Sequence, residues 1–401
     1  MEGVEFMGRR IKTFCYVSML LLSIIFPPHS GVAFDGSARP KILFWEKVKK
    51  GANVFNEKIF QEDIRAAKVY GIGFIRLALD KFPSAGQDFL MGNADCYEHL
   101  NGDDLALLKK ILDVCAEEDM PVIITMLGLP GSRWKQLNGD EDDLRIWQDA
   151  DFQQQAARFW KNLAQELRDY EIVVGYNILN EPHPERLFDQ KNCHISSVEQ
   201  KKIQKMLFDF YNLVIGEIRK VDANTPIIVD SSAYGDPNAF KQLRKLDDNN
   251  VIYSFHMYEP YEYTNHKLNA GTYVYPGDMD GQNWDYEALH KYMEPVIEFQ
   301  RAHAIPSNRI LVGEFGCYRK QKGLPEYFSD LISIFDECGW HYAFYAFRED
   351  NWDGMDYELG DQNVPEAYWQ AIENGETPNG NRESTTAQFA ILLRALFDQN
   401  K

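Results

Sequence analysis

Eight times in succession this chain sets a short, apolar, β-branched run ahead of an amphipathic stretch, and few folds accept that alternation. The runs are Gly51–Phe55, Gly73–Ala78, Pro121–Met126, Ile172–Leu179, Pro226–Asp230, Val251–Phe255, Ile310–Phe315 and Tyr342–Phe347. Helical patterns fall at Phe60–Tyr70, Asp103–Glu118, Phe152–Tyr170, Val198–Val221, Asn238–Leu246, Trp284–Ala304, Pro325–Cys338 and Thr385–Asp398. In the fourth of these, Ile203, Met206, Leu207, Phe210, Leu213 and Val214 recur with the helical period. Strands that are apolar on both faces and separated by helices belong to a parallel sheet covered on each side. Eight such units favour closure into an α/β (β/α)8 TIM barrel. An open doubly wound sheet is the rival, but no glycine-rich phosphate loop follows the first strand. No linker, repeat or low-complexity tract divides the chain, so residues 34–401 read as one domain. Glu373–Ser384 reads as a polar surface connection before the closing helix.

Residues 1–33 read as an export signal rather than as fold. Arg9, Arg10 and Lys12 precede an apolar core from Cys15 to Phe26, Pro27-Pro28 breaks it, and Gly31-Val32-Ala33 offers small residues for cleavage. The core falls short of the roughly 20 apolar residues that span a bilayer, so no stable membrane insertion is expected once it is removed. The expected destination is the periplasm or the cell exterior. A net charge of −19 argues against nucleic acid, whose phosphates need a basic face. Five cysteines remain beyond residue 33: Cys96, Cys115, Cys193, Cys317 and Cys338. A bridge between Cys96 and Cys193 stays open, isolated buried thiols are the preferred reading, and no spacing resembles a zinc site. The acidic run Asp140–Asp143 lacks the glycine of an EF-hand loop and reads as solvated. The sequence carries no signal of oligomeric state.

The chemistry sits at strand ends. Tyr176-Asn177-Ile178-Leu179-Asn180-Glu181-Pro182 leaves the fourth strand, and Leu311-Val312-Gly313-Glu314-Phe315-Gly316 closes the seventh. In a barrel the C-terminal ends of the strands gather reactive groups. Two carboxyls facing each other there are what glycosidic bond cleavage needs. The extra length follows strands rather than preceding them, in 128–151, 182–197, 258–283 and 348–365. Those loops carry Trp134, Trp147, Tyr258, Tyr261, Tyr263, Tyr273, Tyr275 and Trp352, rings suited to stacking on sugars.

Asn180-Glu181-Pro182, His256-Met257-Tyr258, Gly313-Glu314-Phe315-Gly316 and Arg76 at the end of the second strand together resemble glycoside hydrolase family 5, the cellulase family. The resemblance runs from about Gly51 to Gly360. It implies Glu181 as general acid/base and Glu314 as nucleophile. Asn180 would bond the sugar 2-hydroxyl, Arg76 and Tyr258 would hold Glu314 ionised, and His256 would line the −1 site. Two positions depart from the family pattern: Leu127 stands where a histidine usually ends the third strand. Tyr345 stands where a tryptophan usually floors the −1 sugar, with Trp352 as a loop substitute. The implied function is a secreted, retaining β-glycoside hydrolase acting on a glucan, a mannan or their oligosaccharides, with no cofactor or metal. The alternatives are a carbohydrate-binding protein on this scaffold, or a transglycosylase sharing the same residues.

Overall fold

Strands of the expected length and order close on themselves. The computed structural model describes residues 40–398 except 60, 189–194, 266, 267, 269, 270, 351, 375, 377 and 379–381. The expected export segment, the start of the expected domain and Cys193 lie outside the described residues. The parallel strands are β1 (Lys50–Val54), β2 (Ile75–Ala78), β3 (Val122–Thr125), β4 (Val173–Asn177), β5 (Ile227–Asp230), β6 (Val251–Met257), β7 (Ile310–Phe315) and β8 (His341–Phe344). Each pairs with its chain neighbours and β1 pairs with β8, Gly51 opposite Ala343, which completes the barrel. All eight expected strands form, with ends displaced by a few residues.

Side chains alternate along a strand, so every second residue points into the barrel. The lower inward layer is aliphatic and aromatic: Phe74, Ile123, Val174, Ile228, Ile252, Leu311 and Ala343 pack together, fully or almost fully buried. On β1 the matching place is Gly51, where a Cβ would come within 2.6 Å of Phe74. A 3-10 turn at Lys41–Glu46 plugs the bottom of the barrel with Trp45, whose indole N–H donates to Val174 O at 2.9 Å. The next inward layer up is polar and equally buried: Asn53, Arg76, Thr125, Asn177, Asp230, Ser254 and His256. That layer is the floor of the site.

The helices cover the outside. Ala150–Leu167 and Ser197–Ile218 are the longest pair. The second is closed by Ser196 and Glu199, each bonding the other's backbone N–H, and it buries Ile203, Leu207, Phe210 and Val214, the stripe its sequence period foretold. Two expectations change. The helix expected at Asn238–Leu246 is only a 3-10 turn, Pro237–Lys241, and the Leu246 N–H donates to Tyr253 Oη at 2.9 Å rather than to a helical carbonyl. The helix expected at Trp284–Ala304 is two, Tyr286–Tyr292 and Glu294–His303. Pro295, lacking an N–H, cannot continue the first and opens the second. Glu366–Glu373 and Ala387–Phe397 complete the helical cover, and a small hairpin pairs Gly277–Met279 with Gln282–Trp284. Among the described residues no helix is long and apolar enough to cross a membrane.

Cys96, Cys115, Cys317 and Cys338 are free thiols; Cys115 and Cys317 are buried as expected, whereas Cys96 is exposed and Cys338 half-buried. The acidic run is not wholly solvated. Asp143 binds Arg145 at 2.7 Å and Asp142 binds Arg186 at 3.1 Å, so half the run turns inward to fasten loops.

Candidate active site

The polar layer converges on Arg76, which is fully buried. Its guanidinium donates to Glu314 Oε1 at 2.7 Å, Asn53 Oδ1 at 3.0 Å, Asn177 Oδ1 at 2.7 Å and Asn180 Oδ1 at 2.6 Å, with Asp230 at 3.5 Å. A buried cation needs such a shell, since removing it from water is costly unless its donors are used. The same shell fixes Glu314, which is 5% exposed and also accepts from Tyr258 Oη at 2.8 Å. Gly313 is required beside it: a Cβ there would lie 2.6 Å from Ser254 Oγ and 3.0 Å from His256 Nε2.

Glu181 follows β4 with a left-handed backbone (φ 51°), rare for a residue with a Cβ. Its N–H donates to Asp230 Oδ2 at 3.2 Å, and its carboxylate meets His256 Nδ1 at 2.8 Å. His256 is boxed in by three acids, with Asp230 at 3.5 Å and Glu314 at 3.8 Å from its two ring nitrogens. One donor atom each from Glu181, His256 and Glu314 lies within 4.8 Å of the others. The two glutamates therefore face each other closely across the floor.

Their protonation is pushed in opposite directions. Burial raises the Glu181 carboxyl above the usual range, and the charges of Glu314 and Asp230 add to it against the pull of His256. Its side chain keeps 28% of its surface exposed at the mouth, so water weakens the push without reversing its sign. Burial acts on Glu314 as well, but the His256 and Arg76 charges and the bonds from Tyr258 and Arg76 outweigh it and hold that carboxyl below its usual value. Burial opposes the charge on His256, yet Glu314, Asp230 and Glu181 together raise it. Two carboxyls driven apart in this way are the arrangement that separates an acid from a nucleophile.

The structure brings Glu181, Glu314, Arg76, Asn180, His256 and Tyr258 into one constellation. Leu127 and Tyr345 stand together beside it, in an apolar patch with Phe55, Ala78 and Trp134. Leu127 is held by Asp80, which accepts from the N–H groups of Leu127 and Gly128 at 2.7 and 2.9 Å; burial pushes the Asp80 carboxyl up to about 7. Tyr345 meets Phe55 edge-on at 5.3 Å and donates to Glu349 Oε1 at 2.8 Å. Trp352, like Tyr345, packs partly buried on the main core, its indole over Gly354, and Trp134 joins Tyr345 in the apolar patch. Of the rings expected to line the cleft, Trp147, Tyr263 and Tyr275 are buried. Tyr263, Tyr275 and Tyr327 pack with centroids 5.3–6.0 Å apart, giving the long loop after β6 an aromatic core of its own. Asp230, Asn53 and Asn177 belong to the site without having been singled out. Their only mark in the sequence is a polar residue at an inward position near the top of a strand.

Comparison with known proteins gives the family. Residues 43–351 match the family described as Cellulase (glycosyl hydrolase family 5). Endoglucanase C of Acetivibrio thermocellus is 22% identical over 334 residues, 76% of this chain and 87% of that protein. Among solved structures, an endoglucanase superposes with a TM-score of 0.61 at 18% identity, covering 88% of this chain and 99% of that one. Thermotoga maritima Cel5A, solved in complex with cellobiose, superposes at 0.60 and 18%, covering 89% and 99%. With a match spanning most of its length and a closed eightfold barrel to go with it, this chain belongs to glycosyl hydrolase family 5, the cellulases, and is a glycoside hydrolase.

Proposed function

We propose that the cleft hydrolyses β-linked glucans by double displacement, with retention at the anomeric carbon. The close approach of Glu181 and Glu314 carries this reading. Retaining enzymes hold their carboxyls about 5–5.5 Å apart, whereas inverting ones leave about 6.5–9.5 Å for a water. Glu314, kept ionised by Arg76 and Tyr258, attacks the anomeric carbon. Glu181 gives its proton to the departing glycosidic oxygen as that C–O bond breaks. The resulting glycosyl ester on Glu314 is then opened by water, whose proton passes to Glu181, and both side chains return to their starting states. Asn180, its carboxamide oxygen taken by Arg76, turns its N–H donors to the sugar 2-hydroxyl. The choice of glucan follows the relatives that match over most of their length, which are named as endoglucanases. Export through residues 1–33 belongs to the same proposal and rests on their residue pattern.

The test is sugar release from a panel of β-glucans, mannans, xylans and aryl β-glycosides, with Glu314→Gln in parallel and the first-released anomer read by NMR. The expected result is β-product from a glucan, with turnover reduced on the order of 10³-fold or more in the variant. Inverted product would end the double-displacement reading. Equal glycan binding by both proteins with turnover by neither would replace it with a binding protein.

A further inference from the structure

His256 turns its two ring nitrogens to two different acids. Nδ1 meets Glu181 Oε1 at 2.8 Å, while Nε2 makes no hydrogen bond among the described residues and faces Asp230 Oδ2 at 3.5 Å. Asp230, His256 and Glu181 thus stand in a row that ends at the proton used in the chemistry above. Glu314 lies beside the row, 3.8 Å from Nδ1.

Every member of the row is fixed. Asp230 closes β5 fully buried, and Tyr211 Oη donates to its carbonyl oxygen at 2.8 Å. Its two carboxylate oxygens accept from Asn177 Nδ2 and from the Glu181 N–H, each at 3.2 Å, with Arg76 at 3.5 Å. The bond from Glu181 helps to hold a left-handed backbone (φ 51°), which persists only where its surroundings over-determine it. Asp230 therefore reaches the acid twice, directly at its main chain and through His256 at its side chain. The ring between them is closely packed: a Cβ at Gly313 would lie 3.0 Å from Nε2, and one at Gly235 would lie 3.0 Å from Cγ. Gly235 is brought there by a strained turn. Ala233 (φ 54°) and Tyr234 (φ 62°) are both left-handed, and Glu185, from the loop that carries Glu181, accepts from the Ser232 side chain and the Ala233 N–H.

We propose that Asp230 is a positioning residue for the acid: it keeps a hydrogen on each nitrogen of His256, so that Nδ1–H occupies Glu181 Oε1 and the transferable proton stands on Oε2. This rests on Glu181 being the acid of the proposed double displacement. With both its oxygens accepting, Asp230 presents an acceptor to Nε2, which must then carry hydrogen. Were the ring neutral, Nδ1 would be bare and would draw the Glu181 proton onto Oε1, away from the substrate. Burial opposes a charged ring, but Glu314, Asp230 and Glu181 face it together and raise it above its ordinary value. Of these three acids only Asp230 keeps its charge through the cycle. Glu314 is neutral while it carries the glycosyl ester, and Glu181 gains and loses its proton. Asp230 is thus the constant partner of the imidazolium, which in turn stabilises the Glu181 carboxylate left after the proton has gone.

The test compares cellotetraose, whose departing sugar needs a proton, with β-cellobiosyl fluoride, whose fluoride leaves as an ion without one. Asp230→Asn keeps the shape and removes the charge. It is expected to lower kcat/KM on cellotetraose on the order of 10²-fold, the scale of general acid catalysis, and to cost at least about tenfold less on the fluoride. Azide opens the glycosyl ester without help from a base: its nitrogen bonds to the anomeric carbon as the Glu314 carboxylate leaves. It should therefore raise kcat of the variant on the fluoride and give β-cellobiosyl azide. Glu181→Ala, run alongside, should show the same pattern. If it does not, Glu181 is not the acid, and the reading of the two glutamates fails together with the role of Asp230. With that control in place, an equal loss on both substrates, or undiminished turnover of cellotetraose, would overturn the role of Asp230 alone. Nitrogen NMR of isotope-labelled histidine rings in the wild-type protein, with His256 assigned by its absence in His256→Gln, should show a hydrogen on both ring nitrogens near neutral pH. A bare Nε2 would overturn the proposal even if Asp230→Asn failed to fold.

Discussion

Two residues apart on the same strands, the barrel changes character. Phe74 gives way to Arg76, Ile123 to Thr125, Ile228 to Asp230, and Ile252 to Ser254 and then His256, all inward-facing and all buried. The lower layer is held by apolar packing of aliphatic and aromatic side chains, none of them charged. Much of the upper layer is held by named hydrogen bonds around one cation and three carboxylates, though the Thr125 and Ser254 hydroxyls make none. Burying Arg76, Glu314 and Asp230 together, with Glu181 half-buried above them, is expensive, and nothing in the architecture demands it, since the layer below closes the barrel without a single charge. Structure below and chemistry above is the division that the barrel strands display.

The largest test of that division is Arg76→Met. It leaves Glu314 and Asp230 without their cation, and breaking a buried pair from one side costs about 3–5 kcal/mol. It should also lower kcat/KM by on the order of 10²-fold or more, because the group that aims and ionises Glu314 is gone. Glu314 is held below its usual value, so its contribution is fully present above the ordinary carboxylate range and is lost as pH falls through the lower folded value. With the arginine removed, the Glu314 pKa rises. The acid limb of the kcat/KM profile should therefore move to higher pH, and an unmoved limb would show that Arg76 is not what ionises this carboxylate. Ile252→Ala, one layer down, should cost about 2–4 kcal/mol in denaturant unfolding through the cavity it leaves. Its kcat should stay near wild type and its pH profile should not move. If that profile shifted, the two layers would be coupled and the division would fail.

How much of this the residues announce depends on which force decides each feature. The strands are legible because burial on both faces leaves an unbroken apolar run. Glu181 and Glu314 are legible because each interrupts such a run at its C-terminal end. Asp230 ends a run in the same way, but an aspartate after Ile227-Ile228-Val229 reads equally as turn chemistry. Only the inward register, with Arg76 at 3.5 Å, makes it part of the site. The missing helix after β5 was not legible: the stretch keeps a helical pattern, while the Leu246 N–H is taken by Tyr253 Oη from across a turn. The turn at Ala233 and Tyr234 was hidden for another reason: two left-handed residues without glycine leave no mark in composition, and only the loops clamped around them hold that backbone in place. The rings of the loop after β6 misled because an aromatic cluster packing a long loop and an aromatic cleft wall have the same sequence.

The smallest expected effect lies where the two layers' rules meet. Tyr345 presents a ring beside Leu127 and Phe55 and a phenol to Glu349, a buried acid whose other carboxylate oxygen has no hydrogen-bond partner. Lys81 Nζ, at 3.2 Å from the same Glu349 oxygen, is the only charge that balances this acid among the described contacts. Tyr345→Phe keeps the ring and removes the bond, so stability should fall by about 1 kcal/mol, with Lys81 still in place to limit the loss. If the ring is what faces the sugar, kcat/KM on a glucan oligosaccharide should stay within about twofold of wild type. Thermal unfolding measured beside those kinetics separates the two parts of one side chain. A tenfold loss of kcat/KM with unchanged stability would instead place the phenol, and Glu349 behind it, among the groups that act on the substrate.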